Sequence, residues 1–296
     1  MKNRFKLSSL FVLTTLLTLF SCSNDDDIAA TNEISLQNLE VTIDENPTNG
    51  QVLGTVVATQ TVGGATLNYA IDSQTPVGAL AINSSTGELT VADATLFDYE
   101  TNSSTTAIIS VNGATNSSTI TVNLNNINEI GDFNYGGVIF WIDPTDSSNG
   151  LVCAVNDQST SIVWGALNAP EVTGTSTNIG SGVSNTDLII ASKGSGTTHA
   201  AGVARAYNAG GYTDWSLPSN DELTEIYNNK TIINATATAN SGEIFQEGET
   251  LGARYWVSNM SGVNGNFLFN FYNGGVNGVW PVNARNVRTV RAWTDN

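Results

Sequence analysis

Polar and apolar residues alternate in short runs through the first part of the chain. The clearest case is 118–127, where Ile120, Val122 and Leu124 fall on one face and Thr119, Thr121 and Asn123 on the other. Period-two alternation of this kind predicts half-buried strands. Further strands are expected at 34–43, 51–57, 65–71, 88–92 and 105–111. Turn residues separate them: Asn46-Pro47 to Gly50, Gly63-Gly64, Ser84 to Gly87, and Asn112-Gly113. Short strands with regular breaks predict an antiparallel sandwich of about 100 residues.

The pattern changes near residue 130. All six Trp lie beyond 140, and none occurs from 34 to 127. Residues 136–142 form an apolar run that predicts a buried strand, and 150–155 its hairpin partner. Ala200, Ala201, Val203, Ala204 and Tyr207 have helical spacing and end at Gly210-Gly211. Ser219 followed by Glu222 predicts a capping box, with Leu223, Ile226 and Tyr227 as the apolar face of a second helix. The tail, from 255–258 to 287–292, reads as strands joined by Gly/Asn-rich loops. The expected fold class is mainly β with two domains, 34–130 and 131–296.

The N-terminus changes the compartment. Lys2, Arg4 and Lys6 precede an apolar run over 7–20, then Ser21-Cys22. A charged start, a short apolar core and a small residue at the cut predict a secretory signal over 1–21. The run is shorter than the about 20 residues of a transmembrane helix. Cys22 after Leu19-Phe20-Ser21 resembles a lipoprotein box, which implies a lipidated Cys22 as membrane anchor. Asp25-Asp26-Asp27 just behind it resembles the surface-export signal of Bacteroidota lipoproteins, with 22–33 as an acidic tether. The expected location is the outer face of a bacterial outer membrane.

Charge narrows the partners. The chain carries a formal net charge of -17. Removing the three cations ahead of Cys22 takes it to -20, since -17 - 3 = -20. That argues against nucleic acid or an anionic membrane surface as partner. With Cys22 acylated, only Cys153 remains, so neither an internal disulfide nor a Cys-built metal site is available.

The first domain resembles a cadherin repeat. Ile43-Asp44-Glu45-Asn46-Pro47 with Gly50 matches the family's entry turn. Leu80-Ala81-Ile82-Asn83 through Thr86-Gly87-Glu88-Leu89 matches its hairpin. Leu96-Phe97-Asp98-Tyr99-Glu100 and Asn126-Ile127-Asn128-Glu129 match its later motifs. The resemblance implies calcium ligands at Glu45, Asp98, Glu100, Asn128 and Glu129, since calcium takes six to eight hard oxygens. The set is incomplete. Ala58-Thr59-Gln60 and Asn112 stand where the family carries carboxylates, so only weak calcium binding is implied.

The second domain resembles the Lcl C-terminal domain of bacterial collagen-like adhesins and surface lipoproteins. The match runs through Gly136–Ile142 as GGVIFWI, Gly210–Leu223 as GGYTDWSLPSNDEL, Tyr255–Ser258 and Val287–Arg291. It implies a C-type-lectin-like α+β fold with two helices.

Candidate chemistry is sparse. Tyr272, Asn273, Asn277, Trp280 and Asn283 lie in a Gly-rich stretch suited to stacking on sugar rings and bonding their hydroxyls. Trp141, Trp164, Trp215, Trp256 and Trp293 are expected in the core. The triplets by which calcium-dependent lectins hold sugars are absent. His199 is the single histidine, and no Ser lies in a nucleophile elbow. Cys153 sits in an apolar run and reads as a small hydrophobe. Asp221 and Glu222 lie in a first helical turn and read as structural. Arg285, Arg288 and Arg291, taken as one strand, are expected to make separate salt links. No enzyme is expected. The expected function is adhesion or recognition of a ligand, including a glycan, at the cell surface. An accessory lipoprotein docking another surface protein, and a hydrolase with a deep pocket near Asp214 or Asp221, remain alternatives.

Overall fold

The computed structural model describes residues 31–260 and 265–295. The signal segment, Cys22 and the acidic triplet lie outside the described residues. The chain is mainly β and divides into two compact units, one ending at Asn126 and the other starting at Ile127. Among the described residues, no helix is long and apolar enough to cross a membrane.

The first unit contains nine strands: β1 Ile34–Leu36, β2 Leu39–Asp44, β3 Val52–Thr55, β4 Ala58–Gln60, β5 Tyr69–Thr75, β6 Leu80–Ile82, β7 Glu88–Val91, β8 Ser104–Val111 and β9 Ser118–Asn125. They form a four-stranded sheet β2-β9-β8-β5, a three-stranded sheet β3-β7-β6 and a β1-β4 pair. The expectation of a purely antiparallel sandwich is corrected at one ladder: β2 and β9 run parallel, with Val41 opposite Val122, because the chain returns to the β2 edge only after crossing between the sheets. Leu53, Leu89 and Val91 of one sheet meet Ile109, Ile120, Val122 and Leu124 of the other in a single core, which makes the unit a sandwich. Along β9 the expected alternation holds: Ile120, Val122 and Leu124 are buried and Thr119 is exposed.

Two strand expectations need correction. The run 34–43 is broken at Gln37-Asn38. Gln37 donates its backbone N–H to Val57 on the β4 side, while the Asn38 side chain accepts from Thr119 on the β9 side. The chain therefore changes sheets there. The strand expected at 65–71 lies at Tyr69–Thr75 instead. The Gln60 side chain holds both backbone groups of Ala65, and Gly63 and Gly64 have positive φ, so this stretch forms a loop. The hairpin glycine is sterically required. Gly87 has φ +71°, and a Cβ there would lie 2.7 Å from the Val56 carbonyl and 2.9 Å from the Tyr69 ring.

The second unit contains β10 Phe133–Asn134, β11 Gly137–Ile142, β12 Asn149–Cys153 and β13 Ser159–Ile162. Four helices follow: α1 Ser181–Lys193, α2 Ala200–Ala206, α3 Asn220–Asn228 and α4 Lys230–Ala239. The chain then forms β14 Arg254–Met260, β15 Asn266–Asn270, β16 Gly275–Val279, β17 Arg285–Val287 and β18 Val290–Thr294. One sheet has the order β10-β11-β12-β18 and the other β13-β17-β14-β15-β16.

The second sheet is covered on both faces. Along β14, Tyr255 and Val257 pack with Leu223 and Ile226 of α3 and Ile233 of α4. Trp256, between them, packs with Ile189 of α1 and Ala200, Ala201 and Ala204 of α2. A strand buried on both faces reads as a continuous apolar run, as Tyr255-Trp256-Val257 does.

The two-helix expectation is thus corrected to four α-helices among the described residues. The buried positions of α1 include Asn185 and Thr186, which leave no apolar stripe in the sequence. Both are satisfied inside. Asn185 exchanges hydrogen bonds with the Ser176 backbone, and Thr186 accepts from Leu217. Residues 285–291 are also not one strand, because β17 joins one sheet and β18 the other. Arg288 pairs with Asp157 and Arg291 with Asp214, at 2.7 and 2.8 Å. Among the described residues Arg285 pairs with no carboxylate and donates to the Ala284 carbonyl.

Candidate functional site

Two turns of the first unit bring three carboxylates together. The chain leaves β2 at Glu45, whose N–H bonds the Asn125 carbonyl, and Asn46 adopts φ 55°. The second turn follows Phe97, which is fully buried and accepts the Asn46 N–H on its carbonyl. Glu45 is itself buried, and its Oε2 accepts the Tyr99 N–H at 2.7 Å. Asp98 accepts both the backbone N–H and the hydroxyl of Thr101. Glu100 accepts from the Asn126 amide at 2.9 Å. One carboxylate oxygen from each of Glu45, Asp98 and Glu100 lies within 4.8 Å of the others.

Three like charges this close repel unless a cation lies among them. The unit has no basic side chain to serve. Residues 31–126 contain nine Asp and Glu and no Lys, Arg or His. All the donors are oxygens, with no thiolate or imidazole, which suits a hard cation such as calcium. An open groove of about 420 Å³ runs alongside, past Asp44, Glu45, Asn46 and Asn125.

The structure brings together three of the five expected ligands. Asn128 and Glu129 belong to the second unit. There the Asn128 amide donates to the Tyr135 hydroxyl and to Asp295, and Glu129 donates its backbone N–H to Asp132. Asn112, at a departure from the motif, bonds the backbone of Asn68 and Thr66 and shapes a loop.

The expected ligand surface of the second unit is not a continuous loop. Gly275–Val279 forms β16, the edge strand beside β15, flanked by turns. Tyr272 is 50% exposed and Trp280 59%, and Asn273 and Asn277 are also exposed. Asn283 is half-buried and closes a turn onto the Trp280 carbonyl. The Asn273 side chain accepts from Gly275, so it shapes its own turn. By contrast Trp164, Trp215, Trp256 and Trp293 are buried, and Trp141 is half-buried.

His199, Glu222, Asp214 and Asp157 have structural partners, and Cys153 is buried. His199 caps α2, accepting the Gly202 N–H on Nδ1 while Nε2 faces the Gly194 carbonyl at 2.9 Å. These two contacts assign a neutral ring with its proton on Nε2. Burial pushes the Cys153 thiol up to about 12, a range in which it is no nucleophile. Burial pushes Glu222 up to about 7, against backbone hydrogen bonds from Ser219 and Gly182 that pull it down. At Asp214 burial also acts upward, but hydrogen bonds and charge from Arg291 outweigh it and hold the carboxyl below its ordinary value. Burial raises Asp157 to about 6 despite Arg288. Sequence reasoning missed this buried Asp157–Arg288 pair, because the two residues are 131 positions apart.

No family model matches the chain, and no curated protein matches it. Solved cadherin ectodomains are similar to it. The human Desmocollin-1 ectodomain aligns with 21% identity over 46% of this chain and 32% of that one, at a TM-score of 0.31. Mouse Cadherin-23 EC22-24 aligns with 22% identity over 33% and 34%, at 0.28. A protocadherin gammaB7 EC3-6 cis-dimer aligns with 16% identity over 33% and 26%, at 0.30. The chain thus spans about a quarter to a third of these three ectodomain structures.

Proposed function

We propose that this chain is a lipid-anchored surface protein of a bacterial outer membrane, used for adhesion or ligand recognition and not for catalysis. In this reading Cys22 is the anchor, and the first unit is a cadherin-like spacer that binds calcium weakly. The second unit, read as an Lcl C-terminal-like domain of C-type-lectin-like fold, presents the contact surface. The observation that carries the calcium assignment is the convergence of Glu45, Asp98 and Glu100 within 4.8 Å in a unit without basic side chains. Calcium would be held by these carboxylates, with water or neighbouring oxygens completing the shell. It would cancel their repulsion and tie the turn after β2 to the turn after Phe97. The non-catalytic reading is supported by His199 serving as a helix cap and by the buried Cys153.

Thermal unfolding of the mature chain with calcium and with chelator tests the site. A ligand that binds only the native state at about ten times its Kd adds about 1.4 kcal/mol, so the first transition should rise by a few degrees. Glu45→Gln should abolish the rise, and superimposed melts at millimolar calcium would remove the metal from the account.

The exposed Trp280, with Tyr272 beside the same edge strand, supports a sugar-stacking contact. A glycan array probed with the mature chain and with Trp280→Ala tests it. A second reading, a surface-protein partner, is favoured by the exposed apolar side chains Tyr272, Val276, Trp280 and Val282. It predicts an empty array and recovery of one partner by surface cross-linking, lost in Trp280→Ala.

A further inference from the structure

The second unit has a separate cleft of about 440 Å³ between the C-terminal end of α1, the start of α2 and the segment after β13. Its walls are apolar: Val163, Ala166, Ala169, Pro170 and Val282. Lys193, Ser192 and Thr198 add polar groups to the lining. A volume of this size matches a small organic ligand.

The second unit has seven basic side chains: Lys193, Arg205, Lys230, Arg254, Arg285, Arg288 and Arg291. Arg205, Lys230, Arg288 and Arg291 each face a carboxylate. Among the described residues of the second unit, Lys193, Arg254 and Arg285 are the basic side chains in no ion pair, and of these Lys193 lines the cleft. Its stem lies over Gly165, where an added Cβ would sit 3.3 Å from Cε. Its ammonium stands 5.4 Å from the centre of the Trp164 ring. Trp164 is fixed, because its indole N–H donates to the Val257 carbonyl at 2.8 Å. The ammonium is thus held at the cleft by packing. Partial burial lowers its proton affinity.

His199 also lines the cleft, but both ring nitrogens are occupied by Gly202 and Gly194, so it offers a ring face. The lining therefore combines apolar side chains with one cation and two hydroxyls. We propose that this cleft binds a small monocarboxylate with an apolar body, its carboxylate on Lys193 and its hydrocarbon against Val163, Ala169, Pro170 and Val282. A free acid and the acidic end of a larger molecule share this chemistry.

The test is calorimetric titration of the mature chain with phenylacetate, 2-phenylethanol and glucuronate. Phenylacetate should bind, and the alcohol of similar shape should bind about tenfold more weakly, about the worth of one partly desolvated charge pair. Lys193→Gln should weaken phenylacetate by about the same factor with an unchanged melting temperature. Ala166→Trp, which fills the cleft from an exposed position on its wall, should remove binding altogether. Failure of phenylacetate to bind overturns the proposal, and so does binding that ignores Lys193→Gln. Tighter binding of glucuronate overturns the assignment of an apolar body.

Discussion

Glu222 on α3 accepts the backbone N–H of Gly182 on α1 at 3.0 Å, across 40 positions of sequence. Its other oxygen accepts the Ser219 N–H at 2.7 Å, completing the capping box of α3. One buried carboxylate thus closes the first turns of two helices. A Cβ at position 182 would lie 2.5 Å from Glu222 Oε2 and 2.9 Å from the Leu217 carbonyl, so glycine permits the approach. Glu222→Ala should destabilise the second unit by about 2–4 kcal/mol in denaturant unfolding, through a lost cap and stranded N–H groups. A change within error would show that water replaces the carboxylate.

The same group gives a pH dependence with a definite sign. Glu222 is raised from 4.5 to about 7 and Asp157 from 3.8 to about 6, both first by burial. The native state therefore holds these protons more tightly than the unfolded chain does. Their contribution is fully present below about pH 4 and is lost as pH rises through 6 and 7, on the order of 3 kcal/mol per group at most. The second unit should melt lower at pH 8 than at pH 5, and Glu222→Gln should flatten the upper part of the slope. A wild-type profile that rises across this window would contradict the assignment.

Arg288 is fully buried, lies 3.9 Å from the centre of the Phe245 ring and pairs with Asp157. Asp157→Ala leaves that charge without its close partner and should cost about 3–5 kcal/mol. Asp187→Ala, at the exposed pair with Arg205, should cost about 1 kcal/mol or less. Urea midpoints of the two variants provide the comparison, and equal losses would refute it.

At Gly87 the conflict is both steric and conformational. Gly87→Ala should destabilise the first unit by about 1–3 kcal/mol and leave the melt of the second unit in place. A parallel shift of both transitions would count against two separately folded units.

Trp215 and Trp280 should behave as opposites. Trp215 has no exposure, and its truncation to Ala should cost about 3–5 kcal/mol. Trp280→Ala should change stability by about 0.5 kcal/mol or less while removing any glycan signal. A large stability loss at Trp280 would mark it as a packing residue.

The sequence made strands legible where one face is buried, as along β9, and helices where an apolar stripe meets a cap, as in α3. It hid elements that violate those patterns. The helix α1 buries Asn185 and Thr186, so its inner face reads as polar. In α4, Ala and Thr alternate, and only Ile233 and Ala237 are buried. β4 and β6 are three residues each, too short to show a period. Of the candidate metal ligands, Glu45, Asp98 and Glu100 fall in motifs that flank two neighbouring turns, and the fold joins them. The Lys193 cleft was not legible, since its walls come from segments more than 110 positions apart, from Val163 to Val282.

The lack of basic side chains in the first unit extends further along the chain. From Leu7 to Ser192 there is no Lys or Arg. A trypsin-like protease, which cuts only after those residues, finds no scissile bond there even when the sandwich is unfolded. Beyond Lys6 its first cut is after Lys193, which lines the proposed carboxylate cleft. Digestion would leave the whole first unit and the opening of the second as one uncut fragment, still attached through Cys22 if that residue is the anchor.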